Sequence, residues 1–207
     1  MHYTKVLDNY FNDLESISVD RQTMPFIPQI VRQLLDSEYN NQFAILGGFP
    51  ISILGRMIGV YIPYSDIDLF CKNCTAVDQL SNFLQRKSFY VSYESNRAIT
   101  FKNNNDVQIQ LVKSVIDDYS EYINIPSIIS EFDITAARLQ LSNNCEIMGM
   151  ECDFSDTSKK LLVPTYNHLN MKRLRKYITR GFTPSYDLML YMATSYKTPI
   201  IQDTEMY

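Results

Sequence analysis

The pattern of apolar and polar positions in the first half of the chain switches repeatedly between helical and strand periods. Apolar residues spaced three or four apart predict helices, whereas strict alternation or a short apolar run predicts strands. In chain order this predicts a helix at 26–35, a strand at 43–46, a helix from Pro50, a strand at 65–72 and a helix at 77–84. The first strand ends at Gly47-Gly48, where the chain is expected to turn sharply into the next helix.

The second half predicts antiparallel strand pairs followed by helices. The predicted strands are 90–93, 98–101, 107–112, 135–141 and 146–152, and the predicted helices are 127–132, 166–177 and 187–196. Turn-forming residues at 103–106 and 142–144 connect two of the pairs as hairpins, and Gly181 is a natural stop after the 166–177 helix. This order is typical of an α+β fold with a mixed sheet flanked by helices and a small C-terminal helical extension.

Composition supports one soluble domain with a modest appendage. The 207 residues are 45% hydrophobic and 20% charged, as in ordinary globular proteins. We therefore expect a domain over 1–160 that includes an N-terminal helix, with a helical extension over 161–207 packed on it. The sequence has no apolar run long enough for a membrane span, and residues 1–11 lack the features of a signal peptide. A cytoplasmic location without a membrane partner is the expectation.

Four cysteines raise the question of a zinc site. Cys71 and Cys74 form a CxxC pair, but Cys145 and Cys152 are too widely spaced to be its usual second half. The only histidines are His2 and His168, far from both pairs in sequence. Free thiols in a reducing compartment are therefore favoured over a structural zinc ion.

The candidate chemistry lies at Asp66 and Asp68, two positions apart on a predicted strand. Residues two apart project from the same face of a strand, so both carboxylates would point one way. Two adjacent carboxylates repel each other unless a cation lies between them, and hard oxygen ligands suit Mg²⁺ shared with substrate phosphates. Gly47 and Gly48 would allow backbone N–H groups to approach those phosphates. The alternative is a surface strand with two solvated aspartates and an ordinary turn.

The stretches GGFPISILGR and SDIDLF resemble the DNA polymerase β-like nucleotidyltransferase superfamily. The resemblance is greatest to the group of tRNA CCA-adding enzymes, poly(A) polymerases and small viral or phage relatives, and it covers about 43–141. It implies a Mg²⁺-dependent transfer of a nucleotidyl group from a nucleoside triphosphate such as ATP. Asp66 and Asp68 would be catalytic metal ligands, and the nucleotide would contact Gly47, Gly48, Ser52 and Ser65.

A second stretch, FDITAARL at 132–139, resembles the Asp-Phe-Thr-x-Asn-Ala-Leu motif of the CCA-adding group. It implies that Asp133 contacts the sugar of the nucleotide or completes the catalytic site. Ala137 replaces the motif's asparagine, and Pro50-Ile51-Ser52 stands where the family often has Arg-Asp. The family's third carboxylate belongs on the 107–112 strand, where this chain has Gln108 and Gln110. The remaining acidic candidates are Asp133 itself and Asp106.

Basic residues concentrate near the C-terminus although the net charge is −4. Lys172, Lys176 and Arg180 are four apart and share one helical face. This face either binds a triphosphate or nucleic-acid backbone, with Lys176 as a nucleotide ligand, or is simply solvated. The 15 tyrosines similarly either stack on bases or serve as ordinary core and rim aromatics.

The sequence thus favours a nucleotidyltransferase that binds a nucleoside triphosphate and Mg²⁺. Its hydroxyl acceptor is an RNA end, a protein side chain or a second nucleotide. An alternative is a catalytically inactive member of the fold that binds a ligand as a regulatory module, which Gln108 and Gln110 support because an amide cannot serve as a base. A structural protein with incidental aspartates is the third possibility.

Overall fold

The computed structural model describes residues 15–113, 128–129, 132–165 and 169–195. The strands are β1 (Glu15–Ser18), β2 (Phe43–Leu46), β3 (Ile67–Cys71), β4 (Tyr90–Glu94), β5 (Ala98–Lys102), β6 (Gln108–Val112), β7 (Gln140–Leu141), β8 (Glu146–Gly149), β9 (Leu161–Leu162) and β10 (Thr183–Pro184). The α-helices are α1 (Gln29–Leu35), α2 (Gly48–Met57), α3 (Cys74–Arg86), α4 (Glu151–Ser158), α5 (Met171–Thr179) and α6 (Tyr186–Ser195). Two 3₁₀ helices cover Met24–Phe26 and Thr135–Arg138.

Eight strands form one mixed sheet in the order β1-β8-β7-β2-β3-β6-β5-β4. At its centre, β2 and β3 are antiparallel, with Leu46 opposite Asp68. β3 and β6 are parallel, with Asp68 beside Gln110, and β6 pairs antiparallel with β5. The predicted α+β fold with a mixed sheet is therefore confirmed.

Helices bury their apolar faces on this sheet. Every residue of β2 is buried, and α2 contributes Phe49, Ile51 and Ile53 to the same core. Burial of each such side chain contributes about 1.5–3 kcal/mol to folding. The core continues into the C-terminal helices through Leu174 of α5 and Leu188 of α6, so both helices contribute to the same apolar cluster as the sheet. The boundary predicted at residue 160 stays a prediction.

Several elements differ from the sequence expectation. The strand predicted at 135–141 is mostly the 3₁₀ helix Thr135–Arg138, since Ala136 and Ala137 lack the branched side chains that favour strands. The strand predicted at 146–152 ends at Gly149, and α4 follows it. The Asp153 carboxylate accepts a hydrogen bond from the Met150 N–H at 3.0 Å, which caps that helix.

Other boundaries shift by a few residues. The helix predicted at 26–35 begins at Gln29, directly after Pro28, whose ψ of 141° is extended. Half of the helix predicted at 127–132 lies outside the described residues. Ile128 and Ile129 are helical and buried. None of the helices in the described ranges is both long and apolar enough to cross a lipid bilayer.

Candidate active site

The two aspartates lie where β3 begins, beside the glycine turn that follows β2. Ile67 and Leu69 of β3 are fully buried, and the intervening Asp68 points the other way. Its Oδ2 lies 3.4 Å from the position a Cβ would take on Gly47. Gly47 has a φ of +83°, a conformation that other residues adopt only with strain. Glycine is therefore required at position 47 by the turn, and this turn lies within van der Waals contact distance of the Asp68 carboxylate.

Asp66 precedes β3 and is held by two donors. The hydroxyl of Ser65 donates to Asp66 Oδ1 at 2.5 Å, and Lys176 Nζ lies 3.3 Å from the same oxygen. The Asp66 side chain keeps 21% of its accessible surface, so its remaining lone pairs are open to a ligand. An ammonium group from the C-terminal part of the chain thus neutralises the first of the paired acids.

The second acid is less well neutralised. Burial, and then the negative charge of Asp66, raise the pKa of Asp68 to about 7. The positive charges of Lys176, Arg173 and Arg180 act in the opposite direction but do not compensate. A carboxyl group in this state gains from any further cation that enters the site.

One face of α5 supplies these positive charges. Arg180 Nη2 donates to the Ser65 hydroxyl at 3.4 Å, and its Nη1 lies 3.2 Å from the position a Cβ would take on Gly48. Tyr177 lies between Lys176 and Arg180 in the sequence. It is buried, and burial is the main cause that raises its pKa to about 12. Lys172, Lys176 and Arg180 were expected to share a face, and the contacts of Lys176 and Arg180 both lie beside the paired acids and the glycine turn.

Sequence reasoning missed Arg173 and Tyr177 as site residues and named Arg180 only as part of the basic face. Together with Lys176 they are spaced at i, i+3, i+4 and i+7, which places all four on one side of a helix. That spacing was the available signal, but nothing in the sequence says that this side faces β3. Lys172, which was grouped with Lys176, is exposed at the beginning of α5.

Asp133 is only 2% exposed and has partners for both of its carboxylate oxygens. Oδ1 lies 2.8 Å from Nη1 of Arg173, and Oδ2 accepts a hydrogen bond from the backbone N–H of Asn170 at 2.8 Å. Asp133 was expected to reach into the cleft with Asp66 and Asp68, but these contacts direct it to the start of α5. It connects to the paired acids indirectly, because Arg173 also acts on the charge of Asp68.

Two further candidates have contacts that differ from their expected roles. Ser52 was expected to bind phosphate, yet it is buried and its hydroxyl donates to the carbonyl of Ile62. This bond fixes the loop that leads to Ser65. Gln110 lies beside Asp68 in the parallel pair, and its amide donates to the Thr100 hydroxyl at 3.3 Å. Gln110 thus occupies the position beside Asp68 on the adjacent strand, and its amide is bound to Thr100 of β5.

The donor set at this site fits a hard divalent cation. Over the described ranges, histidines, cysteines and acids nowhere gather in a group of three or more that could hold a metal. Asp66 and Asp68 alone would therefore leave most coordination positions to water or to phosphate oxygens, as Mg²⁺ prefers. The raised pKa of Asp68 and the ammonium beside Asp66 both indicate that the site favours positive charge.

No family sequence model and no curated protein sequence matches this chain. Solved structures do match. A CCA-adding enzyme in complex with ATP superposes with a TM-score of 0.65 at 11% identity, and its apo form with 0.63 at 12%; each match covers 88% of this chain and 46% of the enzyme.

A tRNA nucleotidyltransferase complexed with a primer tRNA and an incoming ATP analog gives a TM-score of 0.52 at 11% identity, over 75% of this chain and 46% of that one. The chain spans less than half the length of each of these proteins. At such identities the likeness concerns the fold, which agrees with the mixed sheet and the glycine turn described above. The chain has the polymerase β-like nucleotidyltransferase fold.

Proposed function

We propose that this chain is a Mg²⁺-dependent nucleotidyltransferase that moves a nucleotidyl group from a nucleoside triphosphate to a hydroxyl acceptor. The observation that carries the proposal is the meeting of three features at one place. Asp66 and Asp68 provide paired carboxylates, Gly47 and Gly48 provide an open turn at the start of a helix, and α5 provides cations. Catalysis of phosphoryl-type transfer requires mainly positioning and charge neutralisation, which this combination supports.

Each group has a proposed task. The backbone N–H groups at the start of α2, next to Gly47 and Gly48, bind phosphate oxygens, since a helix N-terminus favours anions. Lys176 and Arg180 bind the outer phosphates from the opposite side, and the Ser65 hydroxyl orients Asp66. The cation held by the two aspartates would supply charge neutralisation and activate the attacking hydroxyl.

Asp133 and Arg173 act as positioning residues in this proposal. Their buried ion pair, with the Asn170 N–H, fixes the first turn of α5 and thereby the direction of Lys176 and Arg180. Without this anchor the cations would lose their fixed approach to the glycine turn. Ser52 has a comparable task on the other side, where it fixes the loop before Ser65.

For the acceptor, an RNA end is the first candidate. Solved neighbours of this fold are a CCA-adding enzyme bound to CTP and a tRNA nucleotidyltransferase bound to a primer tRNA. The second candidate function is a nucleotide-binding module without turnover. Its support is Gln110, a neutral amide next to Asp68 on the neighbouring strand, where a third carboxylate would provide a base.

Incubating the protein with ATP, with and without Mg²⁺, and with a short RNA primer tests the proposal. Pyrophosphate release together with primer extension is expected, and both should be lost in Asp68→Asn but not in Asp78→Asn, an exposed aspartate on α3. Metal-dependent ATP binding without product would favour the module. Absence of ATP binding in the presence of Mg²⁺ would contradict both functions.

A further inference from the structure

A row of basic and aromatic side chains leads away from the site across the surface. It comprises Arg180, Lys160, Tyr61, Arg56 and Phe26, which we call the basic–aromatic path. These residues come from four separate parts of the sequence, since only Arg56 and Tyr61 are near neighbours in the chain, and they meet in the fold. Nothing in the proposed triphosphate chemistry requires the four outer members.

The path is continuous from the candidate active site outward. Arg180 contacts Ser65, and the next residue, Gly181, lies close to Lys160, whose Nζ is 3.4 Å from the position a Cβ would take there. Lys160 Nζ then donates to the carbonyl of Tyr61 at 3.3 Å. These contacts run through Gly181 and the Tyr61 backbone, and they place the five residues of the path next to one another on the fold.

The outer end of the path is a stack of two aromatic rings on one guanidinium. The Arg56 guanidinium carbon lies 4.5 Å from the ring centroid of Phe26 and 4.9 Å from that of Tyr61. Phe26 is 52% exposed and Tyr61 63% exposed, which is unusual for two large rings so close together. The arginine fixes the orientation of both rings while leaving much of their surface open to solvent.

Among the described residues, the cations of the path have no carboxylate at ion-pair distance, although Arg180 acts on the charge of Asp68. These cations are Arg56, Lys160 and Arg180, and the chain as a whole has a net charge of −4. An ammonium group has three N–H donors, and the Tyr61 carbonyl takes one from Lys160. The path therefore presents an array of cations to an anionic ligand.

From these observations we propose that the basic–aromatic path binds a single-stranded nucleic acid whose end enters the candidate active site. Cations at intervals bind successive phosphates, and exposed rings stack on bases, which is the combination typical of single-strand binding without sequence preference. A duplex would keep its bases stacked internally and could not use Phe26 and Tyr61. This inference rests on the proposed function only in naming the strand as acceptor.

Binding of a short fluorescein-labelled single-stranded RNA, measured by anisotropy without nucleotide or Mg²⁺, tests the path directly. Phe26→Ala and Tyr61→Ala are each expected to weaken binding about tenfold, the scale of one lost base stack. Arg56→Gln should weaken binding and reduce the salt dependence by about one ion. A blunt-ended RNA duplex should bind more weakly than the single strand.

Matched controls lie at the far edge of the sheet. Tyr90→Ala removes a ring that is 53% exposed on β4, and Lys87→Gln removes a cation 5.7 Å from the ring of Phe83. Neither should change RNA binding, and thermal melts of all variants check that they fold. Equal losses of RNA affinity in the path variants and the control variants would overturn the proposal. Failure of the wild-type protein to bind the single strand would also overturn it and would favour a protein partner for the path.

The two proposals can fail separately. Mg²⁺-dependent ATP binding, measured on the same variants, is expected to match the wild-type value because Phe26 and Tyr61 lie outside the triphosphate site. Normal ATP binding with unaltered RNA binding in both ring variants would remove the path and leave the nucleotidyltransferase. If RNA binding depends on the two rings but the protein does not bind ATP, the path stands and the nucleotidyltransferase proposal fails.

Discussion

The paired acids should make the metal-free protein sensitive to pH, and Asp68→Asn should remove that sensitivity. Burial and the charge of Asp66 raise the pKa of Asp68 to about 7, compared with 3.8 for an ordinary aspartate. Because the folded protein holds this proton more tightly than the unfolded chain, ionisation of Asp68 costs stability. The wild-type protein should therefore lose stability as the pH rises from about 4 to about 7, and the loss should level off above that range.

The size of the effect follows from the pKa difference. A gap of about three pH units corresponds to about 4 kcal/mol, at 1.36 kcal/mol per unit, as an upper bound. Asp68 retains some contact with solvent, which screens its charge, so we expect about 1–2 kcal/mol above pH 7. For a chain of this length, that is a rise in Tm of about 3–6 °C for Asp68→Asn.

Thermal melts in EDTA between pH 4 and pH 8 measure this difference. Asp68→Asn should melt higher than the wild type at pH 8 and approach it near pH 4, whereas Asp78→Asn on the exposed face of α3 should follow the wild type throughout. Mg²⁺-dependent ATP binding should be lost only in the first variant. A variant at position 68 that melts below the wild type at pH 8 would refute the reasoning, since the carboxylate would then anchor the fold.

Three further substitutions test the site. Lys176→Met should weaken ATP·Mg²⁺ binding at least tenfold, since a charged hydrogen bond contributes about 1.5–3 kcal/mol. The affinity for Mg²⁺ without ATP should stay the same or rise. Calorimetry measures both affinities, and neither should change in Lys172→Met. Asp133→Asn should lower stability by about 2–4 kcal/mol in urea unfolding because its arginine partner stays charged, with the ratio of ATP to dATP affinity unchanged. A changed ratio at normal stability would indicate a sugar contact instead. Gly47→Ala should reduce both stability and ATP·Mg²⁺ binding, whereas Gly59→Ala, also at positive φ but in open space, should reduce only stability.

The centre of the fold and the acidic half of the site follow from local sequence pattern. Ile67 and Leu69 alternate with the aspartates, and the apolar run Phe43–Leu46 ends at two glycines, so strand, turn and helix could all be predicted. These features depend on the short-range periods of strands and helices, which a single sequence contains.

The remaining elements were hidden for identifiable reasons. β1 is exposed along its whole length and so has no alternation to reveal it. α4 has a largely polar sequence with weak periodicity, and its clearest signal is the capping carboxylate of Asp153. β9 and β10 are two residues each and form only by pairing with one another.

The sequence assigns the basic half of the site to a helix but does not say which part of the fold that helix contacts. The spacing of Lys176 and Arg180 predicts a shared face, yet the contact with Asp66 joins residues 110 positions apart. Asp133 shows the same limit in reverse. It lies between the apolar residues Phe132 and Ile134 and is buried, but its partner Arg173 lies 40 positions further along the chain.

The distance in sequence between the two halves of the site has a consequence for the protein while it is being made. Translation at about 5–20 residues per second takes about 5–20 s to add the 110 residues that separate Asp66 from Lys176. Throughout that interval the ribosome-bound chain has its two acids and its glycine turn but none of the counter-charges of α5. If the proposed function holds, a nascent chain without α5 would repel a triphosphate, and nucleotide binding would begin only when α5 has left the ribosome and docked.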